Sequence, residues 1–294
     1  MLTEFVAVRD GISLALDRWD PPPHAARPAA AGDGPARAPW FLLVHGLASN
    51  ARLWDGVAAG LVAAGHPVAA VDLRGHGRSS KPDAGYDVPT VADDLAALIA
   101  AIDLGRPIVV GQSWGGNVAV ELAARRPAIV DAVACVDGGW IDLQTAFPDW
   151  ESCRRALAPP RIAGRRFGDV ESWIRTAHAD WPETGVRGTL ANLELRDDGT
   201  VAPWLTFEHH ILVLRGLWEH RPAERYPRID VPVLLIPAER AAGDDPSKHA
   251  AVDAASAALP RSTVRWFVGD HDIHAQFPNE LAGVLASMTP AGTR

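Results

Sequence analysis

Residues 107–116 read Pro-Ile-Val-Val-Gly-Gln-Ser-Trp-Gly-Gly, and the last six, Gly111-Gln112-Ser113-Trp114-Gly115-Gly116, decide the fold. The apolar PIVV run has the character of a buried strand, and the chain from Trp114 onward, WGGNVAVELAARRP, that of a helix. A strand that turns directly into a helix around a serine holds that residue in a strained conformation with its hydroxyl exposed. The flanking glycines allow the two backbones to approach without Cβ clashes. A five-residue pattern with three fixed positions arises by chance in long chains. The strand-turn-helix context is what makes this one informative.

Outward from that point, short apolar runs alternate with helix-length amphipathic stretches. Residues 40–45, 68–72, 108–111, 132–136, 231–236 and 264–268 read as buried strands. Residues 53–64, 91–102, 114–125, 249–259 and 281–288 read as helices. This alternation predicts an α/β architecture whose parallel sheet is covered on both faces. Near the start, FVAVRDGISLALDRW predicts a hairpin across Asp10-Gly11 and hence an antiparallel edge. Residues 20–39, DPPPHAARPAAAGDGPARAP, have no periodic apolar pattern and read as a mobile surface loop between two early strands.

The alternation stops between about Trp140 and Tyr226, a stretch that holds Trp140, Trp150, Trp173, Trp181, Trp204 and Trp218. Its helical patches, around residues 170–179 and 209–218, predict a helical cap at residues 140–226. Residues 1–139 and 227–294 would then form the α/β core. Tryptophan-rich walls suit an apolar ligand pocket, although tryptophan also fills cores. Trp114, beside the serine, and Trp140, at the start of the cap, are the pocket-wall candidates.

Composition narrows the function classes. The 294-residue chain carries 28 Lys and Arg against 36 Asp and Glu, a net charge of -8, and no basic run longer than two residues. Nucleic acid is therefore not an expected partner. No apolar run approaches a membrane span, and the opening MLTEFVAVRDG lacks the apolar core of a secretory signal. With only Cys135 and Cys153 there is no disulfide framework, and Cys135 reads as a core residue. These features together predict a cytoplasmic protein, as a monomer or homodimer.

With these elements in place, the chain resembles the α/β-hydrolase family over nearly its whole length. That resemblance implies a mostly parallel eight-stranded sheet flanked by helices, with the cap inserted after the sixth strand. It also implies Ser113 as nucleophile, within Gly111-Gln112-Ser113-Trp114-Gly115. His45-Gly46-Leu47 is similar to the family's loop that gives one amide to an oxyanion hole, so Leu47 is the matching donor and Trp114 the second. Residues Asp72–Ser79, DLRGHGRS, are similar to a structural turn of the family, which leaves His76 outside the chemistry. After the final strand, GDHDIH places His271 seven residues before Pro278, which is the spacing of the family's general base. His274 is three residues displaced and reads as a supporting or cap-facing side chain. His249, His209 and His210 read as packing or surface residues, and no metal-ligand spacing is present.

The acid is open at this level. In most of the family it follows the strand that here reads VPVLLI, but the aligned position is Ala241. Other members take it from the end of the preceding strand, where this chain has Asp137. Asp137 is therefore favoured over Asp244 or Glu239, although aspartate is also a common strand-end cap. The resemblance implies hydrolysis of a carboxylic ester or lactone of an apolar small molecule, with no metal or organic cofactor. C–C hydrolysis, thioester or amide cleavage on the same residues, and non-catalytic binding, remain as alternatives.

Overall fold

The computed structural model describes residues 1–9, 11–22, 38–240 and 245–288 of the 294. In chain order its strands are β1 (Leu2–Arg9), β2 (Ile12–Trp19), β3 (Phe41–Val44), β4 (Val68–Val71), β5 (Ile108–Gln112) and β6 (Ala132–Val136), then β7 (Leu193–Leu195), β8 (Val201–Pro203), β9 (Val233–Ile236), β10 (Ala238–Glu239), β11 (Ser262–Val264) and β12 (Phe267–Val268). Eight of them form one sheet in the order β1-β2-β4-β3-β5-β6-β9-β11. The pairings from β4 through β11 are parallel, whereas β1 with β2 and β2 with β4 are antiparallel. The N-terminal hairpin is thus the antiparallel edge. The Pro/Ala-rich segment expected to be a mobile loop lies, for residues 23–37, outside the described residues.

Six helices flank or close this sheet: α1 (Asp55–Ala63), α2 (Val88–Ala101), α3 (Trp114–Arg125) and, after the insert, α9 (Pro246–Ala258), α10 (Ile273–Gln276) and α11 (Pro278–Ala286). Alternate residues of each strand point to opposite faces. Leu42, Val44 and Val109 accordingly pack with Val91 and Leu95 of α2 and Val118 of α3. Phe41, Leu43 and Val110 pack with Leu61 of α1 and Leu281 of α11. Strands β3 to β6 are buried along their full length, which is why they read as unbroken apolar runs. Each fully buried Val or Leu there is worth roughly 1.5–3 kcal/mol against exposure.

The last predicted strand, 264–268, is not continuous. The β9–β11 ladder runs as far as Leu235 with Val264, and a separate parallel pair, β10–β12, resumes at Ala238 with Phe267. Pro237 lies between them and has no N–H to give to a ladder, although its carbonyl still accepts from Phe267 N–H at 2.9 Å.

Between β6 and β9 lie α4 (Leu143–Ala146), α5 (Trp150–Leu157), α6 (Phe167–Ala177), α7 (Glu183–Leu190) and α8 (Phe207–Glu219), with the small β7–β8 hairpin. None of these joins the main sheet. Val170, Ile174, Trp181, Val186 and Val201 form a third apolar cluster that takes in Leu53 and Ala275 from the sheet side. Asn50, in the loop after β3, donates to Gly188 O at 2.9 Å and to Asn192 Oδ1 at 2.6 Å, which fastens the insert over the carboxyl ends of the strands. The insert also leaves and returns at one point, since Tyr226 Oη donates to Gly139 O at 3.0 Å.

Candidate active site

β5 ends at Gln112 and α3 begins at Trp114, so Ser113 alone makes the turn, with φ 52 and ψ -123. A non-glycine residue with this positive φ is strained and must be held by its surroundings. Ser113 N–H donates to Val136 O at 2.9 Å, and Ser113 O accepts from Gly116 N–H at 2.9 Å. Gly115 is required by close approach: a Cβ there would lie 2.5 Å from His45 O and 2.6 Å from Val44 O. Gly46 is required for the same reason, because its Cβ would sit 3.1 Å from Ser113 Cβ and overlap the Gln112 amide oxygen. The Gly46-Leu47 backbone consequently runs directly beside the elbow.

His271 follows β12 and faces the same space. Ser113, His271 and Leu47 line one cavity of about 220 Å³, together with His178, Asn192 and Asp272. The residue next to the serine anchors the histidine loop, because Gln112 Nε2 donates to Asp272 Oδ1 at 3.1 Å and to His271 O at 3.3 Å. The imidazole Nδ1 is 2.6 Å from Asp137 Oδ2. Asp137 stands just past β6 with φ 42, and its side chain is 2 % exposed against 51 % for His271. Ala238 N–H donates to Asp137 Oδ1 at 3.0 Å, and Lys248 Nζ lies 3.0 Å from both carboxylate oxygens.

The electrostatics follow from these partners. Burial would raise the Asp137 pKa, but the His271 hydrogen bond and charge, the Ala238 amide and Lys248 outweigh it and hold the carboxyl below its ordinary value. Burial would lower the His271 pKa, yet the hydrogen bond to Asp137 and the charges of Asp272 and Asp137 leave it raised. Asp272 is raised as well, chiefly by burial.

Among the described residues, the alternative acid Glu239 is engaged elsewhere. Glu239 is 3.1 Å from His249 Nε2, and His249 in turn stacks on Trp266 at 4.0 Å. Asp244 lies outside the described residues. The 72–79 turn is held by Asp72, which accepts from Ala51 N–H at 2.7 Å and from Arg78 Nε at 2.9 Å. His76 is buried in that turn, accepts from Ala48 N–H at 3.3 Å, stacks on Trp114, and is kept neutral by burial and by His45. His274 belongs to α10, after the loop that carries His271. It is fully buried against Trp54 at 4.4 Å, and burial pushes its pKa down to about 3.

Trp140 and Trp114, expected as pocket walls, are core residues instead. Trp140 is 8 % exposed and Trp114 fully buried, both packed in the cluster on the α2/α3 face of the sheet. The pocket is built from the insert. A second cavity of about 590 Å³ is lined by Trp173, Trp204, Ile174, Leu205 and Phe207, among others. It shares Ala48, Ser49, His178, Thr189 and Asn192 with the serine cavity, so the two adjoin. His178, Asn192 and Lys248 carry no motif or spacing, and their places at the site come from tertiary packing. Among the described residues, no group of three or more His, Cys, Asp or Glu side chains could hold a metal ion, and no helix is long and apolar enough to cross a membrane.

Comparisons with known proteins agree with this architecture. A family model described as the alpha/beta hydrolase fold matches residues 39–169. An uncharacterized protein of Mycobacterium tuberculosis is 41% identical over 111 residues, covering 38% of this chain and 31% of that protein, so the match spans about a third of that relative's length. An esterase of Mycobacterium tuberculosis is 37% identical over 207 residues, 68% of this chain and 65% of the esterase. The crystal structure of E-2-(acetamidomethylene)succinate hydrolase superimposes with a TM-score of 0.75 at 23% identity, covering 97% of each chain, which is a likeness of fold. The chain has the α/β-hydrolase fold, and its residues 39–169 match the family model of that fold. Its relatives include hydrolytic enzymes, among them that esterase and a 2-(acetamidomethylene)succinate hydrolase of Mesorhizobium japonicum, 29% identical over 205 residues, 68% of this chain and 70% of the hydrolase.

Proposed function

We propose that the protein is a serine hydrolase that cleaves a carboxylic ester or lactone of an apolar small molecule through an acyl-enzyme. The observation that carries this reading is the 2.6 Å contact of His271 Nδ1 with Asp137 Oδ2, made by an imidazole that lines one cavity with the strained Ser113. With Nδ1–H committed to the carboxylate, Nε2 is the basic nitrogen and can take the serine proton. Ser113 Oγ attacks the carbonyl, and the Leu47 and Trp114 amides hold the oxygen that becomes negative. His271 returns the proton to the leaving alcohol, then activates water to release the acid. The scheme calls on no metal or organic cofactor.

The cavity of about 590 Å³ beside the serine, walled by Trp173, Trp204 and Phe207, favours an apolar acyl or alcohol group. Its volume falls in the usual range for small-molecule sites, roughly 300–1,000 Å³. Incubation with a fluorophosphonate should label Ser113 covalently, and the Ser113→Ala variant should remain unlabelled. p-Nitrophenyl esters of graded chain length, assayed beside lactones, thioesters, amides and C–C substrates, should give the highest kcat/KM for an ester or lactone. A native protein that resists the probe would indicate a binding protein. Preferential turnover of a thioester, amide or C–C bond would replace the ester assignment.

A further inference from the structure

Lys248 has no part in the scheme above, yet its ammonium sits on the carboxylate that faces His271. It projects from the first turn of α9, a helix capped by Asp245, whose carboxylate accepts from Ser247 N–H at 3.1 Å and Lys248 N–H at 3.2 Å. Its three N–H groups have three fixed acceptors: Asp137 Oδ1 and Oδ2, each at 3.0 Å, and Ala238 O at 2.8 Å. Ala238 N–H binds the same Oδ1 at 3.0 Å, so Lys248, the Ala238 peptide and the Asp137 carboxylate form one closed set. The Lys248 side chain is 27 % exposed and its partner 2 %. A pair with one member so buried is screened little by solvent.

We propose that Lys248 is a positioning residue for the Asp137–His271 pair, fixing the carboxylate so that one oxygen meets the imidazole and offsetting part of its negative charge. The proposal rests on the catalytic reading of Ser113, His271 and Asp137. Two consequences follow from the geometry. The carboxylate cannot rotate away from His271 without breaking contacts to Lys248 and Ala238. The lysine charge also opposes imidazolium formation, so His271 stays a free base to a lower pH than a lone aspartate would allow.

The other charged groups around His271 are largely engaged elsewhere. Within its own loop, Asp270 pairs with Arg240 at 3.5 Å and Asp272 accepts from Gln112. From the β10 and α9 side, Glu239 bonds His249, and Asp245 is held by the helix terminus it caps. On α10, His274 is buried and neutral. From the insert, His178 faces the cavity beside the Trp181 ring at 3.8 Å. Lys248 is therefore the cation seated on Asp137 itself. A lysine that merely tied α9 to β10 would need only the Ala238 carbonyl.

The test compares Lys248→Met and Lys248→Arg with the unaltered protein, using the pH profile of kcat/KM for a p-nitrophenyl ester. It also uses the titration of the His271 imidazole by 15N NMR in a Ser113→Ala background. Lys248→Met should lower kcat about tenfold and move the acid limb and the NMR midpoint upward together, by about half to one pH unit. Lys248→Arg should restore the position of both. Where the methionine variant fails to fold, Lys248→Gln removes the charge while keeping a donor, and the same upward displacement is expected. A limb and midpoint that stay within about 0.1 pH unit in a folded neutral variant would overturn the proposal. Retention of turnover by Ser113→Ala or His271→Ala would instead overturn the catalytic reading itself, so the two failures are separable.

Discussion

Replacing Asp137 by asparagine tests the site where its geometry is most specific. In the native arrangement Oδ1 receives the Ala238 N–H at 3.0 Å, Oδ2 faces His271 Nδ1 at 2.6 Å, and Lys248 lies 3.0 Å from both. An asparagine has one oxygen, and it goes to the Ala238 side, because a backbone N–H can only donate whereas the imidazole can exchange its tautomer. Its NH2 group then falls where Oδ2 was and confronts the imidazole with a donor. To pair with it, Nδ1 must give up its proton and accept, which moves the proton to Nε2. A histidine protonated on Nε2 and neutral cannot accept a proton from Ser113. Wrong-tautomer lesions of this kind cost about 10⁴ in kcat, or about 5 kcal/mol in activation free energy. The assay is kcat for a p-nitrophenyl ester, alongside the rate of fluorophosphonate labelling, with the melting temperature followed as a control for folding. A folded Asp137→Asn protein with kcat within tenfold of the parent would refute the argument and remove Asp137 from the mechanism.

Three further outcomes are expected. His274 is buried and neutral with its pKa pushed down to about 3, so the unfolded chain binds a proton there below pH 6.5 and the folded chain does not. Stability should fall as pH drops from 6.5 toward 3, at about 1 kcal/mol per pH unit, and denaturant unfolding of His274→Leu across that range should show a shallower slope. Gly115→Ala forces a Cβ to 2.5 Å from the His45 carbonyl oxygen, and the fixed backbone on both sides leaves no room for relief. A loss of about 1–3 kcal/mol in stability, together with a severe loss of activity, is expected from chemical denaturation and ester assays. Ala177, an exposed residue of α6, lines the large cavity. Ala177→Trp should raise KM severalfold more for long-chain than for short-chain p-nitrophenyl esters, and an equal rise for both would place the acyl group elsewhere.

The sheet was readable because its central strands are buried on both faces and its turns are marked by glycine. The helix after Ser113 was predicted at Trp114–Arg125 and found with those bounds, since a glycine-flanked turn leaves little freedom in where the helix starts. The final strand was misread because an apolar run does not reveal that Pro237, on its neighbour, interrupts the ladder. Asp137 was a legible candidate by its place at a strand end, but its contact with His271 spans 134 residues and is a product of folding. Trp140 reads as a pocket wall from its place at the start of a tryptophan-rich insert, but neither that place nor the composition distinguishes a core filler from a wall. The real walls come from α6 and the segment around β8 and α8, whose orientation over the sheet depends on contacts such as Asn50 with Gly188.

The hydrogen bond between Tyr226 and Gly139 closes an excursion of 87 residues at its base. Chain topology therefore lets the excursion vary in length with its ends held together, although Trp140, Leu214 and Leu217 within it pack into the core on the α2/α3 face and belong to the scaffold. Ser113, His271 and Asp137 all lie outside the excursion. A chimera that exchanges residues 159–207, which wall the large cavity, would change what that cavity accepts while leaving those three residues in place.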